Sequence, residues 1–156
     1  MTRQNGPLGR RAFLAAGVGT AAVTIGLPGP LEGAEWSDRE KANVKVVNDW
    51  CAAWQAPLDF KKIGASLSAD CVYRGNETAE PMRGREAIIE RLRGVLGSAE
   101  KAEFEVVQTF AKGPIVVNER FDRFTRPERN INWHGIGVFF MKDGLIAEWQ
   151  DFTIRD

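Results

Sequence analysis

The stretch from residue 102 to 154 reads as four strands, 102–111, 115–125, 131–141 and 145–154, rich in Val, Ile, Phe and Thr and parted by short polar links. Lys112-Gly113-Pro114, residues 126–130 and Lys142-Asp143-Gly144 supply the turn chemistry, the last as a short Asp-Gly hairpin signal. A parallel crossover needs a dozen or more residues, so consecutive strands joined by links this short must run antiparallel. A sheet of this kind buries one face, and the material to cover it must come from upstream.

That upstream material reads as helices. Ser37-Asp38-Arg39-Glu40 is a capping box, with the Ser hydroxyl able to accept from the N3 amide while Glu40 reaches back to the Ser37 amide. Val44, Val47, Cys51 and Trp54 follow at helical spacing, and Pro57 ends the helix or lies just beyond it. Residues 58–67 form a second, shorter helical candidate. Asp70-Cys71-Val72-Tyr73 reads as a strand leading into a polar loop over 74–81. Residues 85–96 place Ile88, Leu92, Val95 and Leu96 on one face and end near Gly97, a third helix. The expected architecture is α+β: a curved mixed or antiparallel sheet with about three helices on its inner face and room for a pocket at the open end.

The first 34 residues belong to a different category. Arg10-Arg11-Ala12-Phe13-Leu14 precedes an uncharged, Ala- and Gly-rich stretch over 15–27, which resembles a twin-arginine export signal. Gly17, Gly19, Gly26 and Pro28, together with the short length, argue against a spanning anchor. The expected division is an export signal over 1–34 and one folded domain over 35–156, working in the periplasm or outside the cell. In that oxidising setting Cys51 and Cys71 could form a disulfide, although two free buried thiols is the plainer reading.

Composition narrows the chemistry. Twenty-one basic and 21 acidic residues balance, and removing three Arg and one Glu with residues 1–34 leaves about −2. No global field draws such a domain to nucleic acid or an anionic membrane. One His and two Cys cannot build the usual zinc sites, so no metal is expected. No GxGxxG or GxxxxGK[ST] run is present, and no cofactor is expected. Chemistry must rest on carboxylates, Arg and Tyr.

Alternation then places those groups. Asn118, Arg120, Asp122 and Phe124 share one face of their strand. On the last strand Leu145, Ala147, Trp149, Asp151 and Thr153 share a face whose first three members are apolar, so Asp151 belongs by parity to the core. A carboxylate there must be paired, and Arg120 can engage two carboxylates through its planar fork.

Asn118-Glu119-Arg120-Phe121-Asp122, with Gly137-Val138-Phe139, Asp143-Gly144-Leu145-Ile146 and Trp149-Gln150-Asp151-Phe152, resembles the limonene-1,2-epoxide hydrolase family within the NTF2-like and SnoaL-like folds. The resemblance covers roughly residues 38–156. It implies a cone, in which a strongly bent sheet and its helices close a deep apolar pocket, together with a homodimer and a small apolar epoxide as substrate. It also implies a catalytic Asp-Arg-Asp set on Asp122, Arg120 and Asp151. In those terms Asp151 is the base that activates water, Asp122 the acid that protonates the epoxide oxygen, and Arg120 the bridge between them, with no covalent intermediate. Epoxide opening needs one protonated and one ionised carboxyl at the same pH, which two coupled carboxyls beside one cation can provide.

The family holds its water with a Tyr and an Asn two residues later. Tyr73 matches the Tyr, but Gly75 stands at the Asn position and Asn76 one beyond, so a bulge would be needed to turn Asn76 inward; failing that, Glu77 or Asn118 is the expected substitute. Asn76, Asn118, His134, Trp149 and Phe124 are the candidates for binding substrate or water. Two other functions remain open at this level: a non-catalytic binder of a hydrophobic ligand, and a cyclase or ketosteroid-isomerase type enzyme on the same fold.

Overall fold

A computed structural model describes residues 35–155, and the proposed export signal lies outside the described residues. The domain runs α1 (Asp38–Ala52), α2 (Phe60–Ala65), β1 (Leu67–Arg74), β2 (Met82–Arg83), α3 (Arg85–Leu96), β3 (Lys101–Lys112), β4 (Ile115–Thr125), β5 (Ile131–Lys142) and β6 (Leu145–Thr153). One six-stranded sheet has the order β2-β1-β6-β5-β4-β3. The four strands expected from the short links form an antiparallel meander. β1, separated from β6 by most of the domain, is free to pair with it in parallel, which makes the sheet mixed.

The capping box forms as the sequence predicts, and it does more than start a helix. Glu40 Oε2 accepts from the Ser37 amide at 2.8 Å, while Oε1 accepts from the Gly113 amide at 2.7 Å. Asn43 Nδ2 donates to the Gly113 carbonyl at 3.1 Å. The polar end of α1 is thereby fixed to the β3–β4 turn. Its apolar stripe of Val44, Val47, Trp50 and Cys51 lies buried against the inner face of β3 and β4. Trp50 and Trp54, both fully buried, meet edge to face at 5.4 Å, and Trp54 stacks on Phe104 at 4.8 Å. Burying an aromatic of this kind contributes about 1.5–3 kcal/mol from area alone.

Three local expectations are corrected. The second helix is shorter than 58–67, because Asp59 caps it by accepting from the Lys61 and Lys62 amides and Leu67 is drawn into β1 opposite Ile146. β1 therefore starts before residue 70. The short β2, which lacks any apolar alternation, pairs Arg83 and Met82 with Val72 and Tyr73. On β6 the register slips between Phe140↔Glu148 and Met141↔Ile146, leaving Ala147 as an extra residue. Ile146, rather than Leu145 and Ala147, consequently shares the buried face with Trp149 and Asp151. Cys51 and Cys71 are separate buried thiols, each pushed up to about 12 by burial.

Candidate active site

β4 alternates with full regularity, and its inward residues are Val116, Asn118, Arg120, Asp122 and Phe124. The Arg120 side chain is entirely buried. Its Nε donates to both oxygens of Asp122, at 2.9 and 3.2 Å, and its Nη2 donates to Asp151 Oδ1 at 2.8 Å. Nη1 donates to Asn118 Oδ1 at 3.1 Å. The guanidinium carbon lies 4.9 Å from the Trp133 ring centre and 5.0 Å from that of Phe104, over the face of each ring. One cation is thus held by three acceptor side chains and by two aromatic rings.

Arg120 and Asp151 sit on strands separated by β5, so the guanidinium must cross a strand to reach its partner. It does so at Gly137, which pairs with Asn118 on one side and Asp151 on the other. A Cβ at residue 137 would occupy the space of Arg120 Nη1 and come within 2.9 Å of Asn118 Oδ1. Gly137 was legible in the sequence as part of a motif, whereas its role as a passage for the guanidinium depends on strand register.

Asp151 is the better-solvated carboxylate in terms of protein donors. Oδ1 accepts from both Arg120 and Trp149 Nε1, each at 2.8 Å, and the nearby Tyr73 hydroxyl also favours the ionised carboxyl. Tyr73 is fixed by stacking on Trp149 at 3.9 Å. Among the described residues Asp122 has a single donor, the Arg120 Nε–H, shared between its two oxygens. Burial raises both acids, and it pushes Asp122 up to about 7 against the pull of Arg120. Burial opposes the charge on Arg120, yet the two carboxylates outweigh it and raise its pKa. Burial is also the largest cause raising the Tyr73 phenol, followed by the Asp151 charge, so Tyr73 serves as a neutral donor. Two like acids sharing one cation titrate as a unit.

Asp122, Asp151, Tyr73, Trp149 and Phe124 all line a cavity of about 440 Å³. Its remaining wall is mainly apolar, from Trp54, Met82, Leu92, Val95, Leu96 and Ile131, with Glu80 and Arg91 also lining it. The volume falls within the range for small-molecule sites.

Four candidates do not take the expected water- or substrate-binding position. Asn76 lines the cavity but is exposed, and its side-chain oxygen accepts from the Thr78 amide and hydroxyl, closing its own turn. No bulge follows Tyr73; the irregularity in β1 lies between Leu67 and Val72. Glu77, the other substitute considered, accepts from the Thr153 amide. Asn118 is fully buried behind Arg120 and does not line the cavity. His134 points to the opposite face of the sheet, where it stacks on Phe121 at 4.1 Å and its Nε2 sits 2.9 Å from Glu119 Oε1. Strand parity, which puts His134 out of phase with Trp133 and Gly135, explains why it misses the cavity.

Comparison with known proteins gives the family. The SnoaL-like domain matches residues 47–149. Epoxide hydrolase EphG of Mycobacterium tuberculosis (strain ATCC 25618 / H37Rv) is 28% identical over 96 residues, covering 60% of this chain and 62% of that protein, so less than two thirds of the relative's length is spanned. The structure of an M. tuberculosis LEH-like epoxide hydrolase matches with a TM-score of 0.65 at 27% identity, covering 74% of this chain and 84% of the other. A proposed SnoaL-like polyketide cyclase from Jannaschia sp. CCS1 shares the fold, with a TM-score of 0.67 at 16% identity and coverage of 78% and 91%. An NTF2-like protein of unknown function from Burkholderia pseudomallei K96243 does so too, with a TM-score of 0.62 at 16% identity and coverage of 72% and 91%. The chain is a mixed α+β protein with the curved six-stranded sheet of NTF2-like proteins, and it belongs to the SnoaL-like domain family.

Proposed function

We propose that the domain hydrolyses a small apolar epoxide to a diol by direct addition of water. The observation that carries this reading is Arg120 held between two buried carboxyls on the wall of a largely apolar cavity. Asp151, with Tyr73 beside it, takes a proton from water as the oxygen attacks an epoxide carbon. Asp122 donates its proton to the ring oxygen as the C–O bond breaks. The product is a diol, and one proton passed from Asp151 back to Asp122 restores the starting state. A general acid and a general base typically contribute about 10²–10⁴-fold each. An added Cβ at Gly75 would lie 2.9 Å from the Tyr73 hydroxyl, so the glycine leaves space beside that donor for the water.

Two further parts of the proposal are export by the twin-arginine route, supported by the Arg10-Arg11-Ala12-Phe13-Leu14 run, and pairing with a second copy, supported by exposed Val107, Phe110 and Phe140. N-terminal sequencing of exported protein and light scattering of the folded domain check these. The catalytic reading is tested by incubating the full chain with a panel of terpenoid and aliphatic epoxides and, in parallel, with carbonyl substrates for enolisation. Diol formation supports hydrolysis. Proton exchange next to a carbonyl without any diol would favour the cyclase or isomerase alternative, and ligand binding without turnover the binding one.

A further inference from the structure

Resting on the reading of Arg120, Asp122 and Asp151 as the working group, we propose that Asn118 is a positioning residue that occupies the third edge of the guanidinium with a neutral acceptor and so confines the cation to its two carboxyls. Arg120 has three donating nitrogens, and each faces a different acceptor: Nε faces Asp122, Nη2 faces Asp151 and Nη1 faces Asn118 Oδ1 at 3.1 Å. Asn118 is wholly buried and makes no wall of the cavity, so it acts through Arg120 and not on substrate.

The orientation of its amide is itself fixed. Asn118 Nδ2 donates to Cys51 Sγ at 3.4 Å, on α1. Turning the amide over would set the Nδ2 donor against the Nη1 donor, whereas the sulfur of Cys51 can serve as donor or acceptor, so it is Arg120 that fixes the orientation. Gly137 holds the slot open from the other side, since a Cβ there would fall on both Nη1 and Asn118 Oδ1. The titratable and charged groups facing the guanidinium are Asp122 on its own strand, Asp151 on β6, Tyr73 on β1 and Cys51 on α1.

The count of charges follows from this arrangement. With a neutral third acceptor, one cation serves two acids. A carboxylate at residue 118 would add a competing anion and raise the acids. An apolar residue there would free Nη1 to turn toward the acids and lower them. The two substitutions therefore move the pair in opposite directions, which a purely structural role for Asn118 would not do.

The experiment is a carboxyl ¹³C NMR titration of the full chain, labelled at Asp, for the unaltered protein, Asn118→Asp and Asn118→Leu, together with kcat and KM on any epoxide turned over. The expected result is an apparent pKa of the Asp122–Asp151 pair raised by at least one pH unit in Asn118→Asp and lowered in Asn118→Leu. KM should be unchanged and kcat reduced about tenfold or more in both, in line with loss of placed acid–base groups. Absence of any shift, or shifts of the same sign, overturns the proposal; if Asn118→Asp does not fold, the direction in Asn118→Leu decides alone. Opposite shifts in a protein that hydrolyses no epoxide would keep the positioning role and remove the hydrolase reading.

Discussion

Arg120 Nη1 lies where the β-carbon of any other residue at Gly137 would be, so the reach of the cation from β4 to Asp151 on β6 depends on a missing side chain in β5. Gly137→Ala is therefore expected to displace the guanidinium. The expected outcome is a destabilisation of about 1–3 kcal/mol from overpacking, measured by denaturant unfolding. Turnover should fall by about 10² or more, because the acid and base lose their common anchor. An alanine variant with unchanged turnover would show that the bridge is dispensable.

Asp122→Asn and Asp151→Asn each remove a proton-transfer group while leaving an oxygen that accepts from Arg120. Each is expected to lower kcat by about 10²–10⁴-fold. Circular dichroism and the thermal midpoint should show that both variants remain folded.

Turnover and stability should both depend on the Asp122 proton. Burial pushes this acid up to about 7, so catalysis is expected to decline as pH rises through about 7 and the acid is lost. At low pH it should decline as the Asp122–Asp151 pair takes up a second proton and no ionised base is left, giving a bell-shaped profile. For stability, the folded form retains a proton at pH values where the unfolded Asp, with its ordinary value of 3.8, has released it. Stability attributable to this group is therefore fully present below about pH 4 and is lost as pH rises through about 7. Urea unfolding between pH 4 and 8 should show this slope in the unaltered protein and a flatter one in Asp122→Asn.

Tyr73→Phe keeps the stack on Trp149 and removes the hydroxyl that faces Asp151. A fall in kcat of about 10-fold or more is expected, with the domain still folded and its thermal midpoint lowered by no more than several degrees, because a lost hydroxyl interaction costs about 0.5–1.5 kcal/mol. Asn76→Ala should change kcat less than threefold, since its oxygen is engaged with Thr78. Steady-state kinetics of the pair distinguishes a Tyr-held water from an Asn-held one.

Much of this fold was legible because two signals agreed. The Gly-containing links at 112–114 and 142–144 forced antiparallel pairing, and the alternation in β4 put Arg120 and Asp122 on one face. The parity reading of Asp151 reached the right face, although two of the residues that motivated it, Leu145 and Ala147, lie upstream of or at a bulge that shifts the phase. Parity alone cannot detect an inserted residue. The roles of Gly137, Cys51 and Asn118 were not legible, because they depend on which residues lie side by side across strands and on the approach of α1. Asn76 shows the opposite error: a suitable residue one position away from the expected one, whose local turn chemistry claimed its side chain first.

The most direct measurement is a single-turnover reaction of excess full-length protein with an epoxide it converts, run in ¹⁸O-labelled water and read by mass spectrometry of the diol. Direct attack by a water held at Asp151 predicts one labelled oxygen in the diol of the very first turnover and none in the protein. Unlabelled diol, with label entering an aspartate carboxyl afterwards, would mean that a carboxylate attacks carbon and would contradict the account.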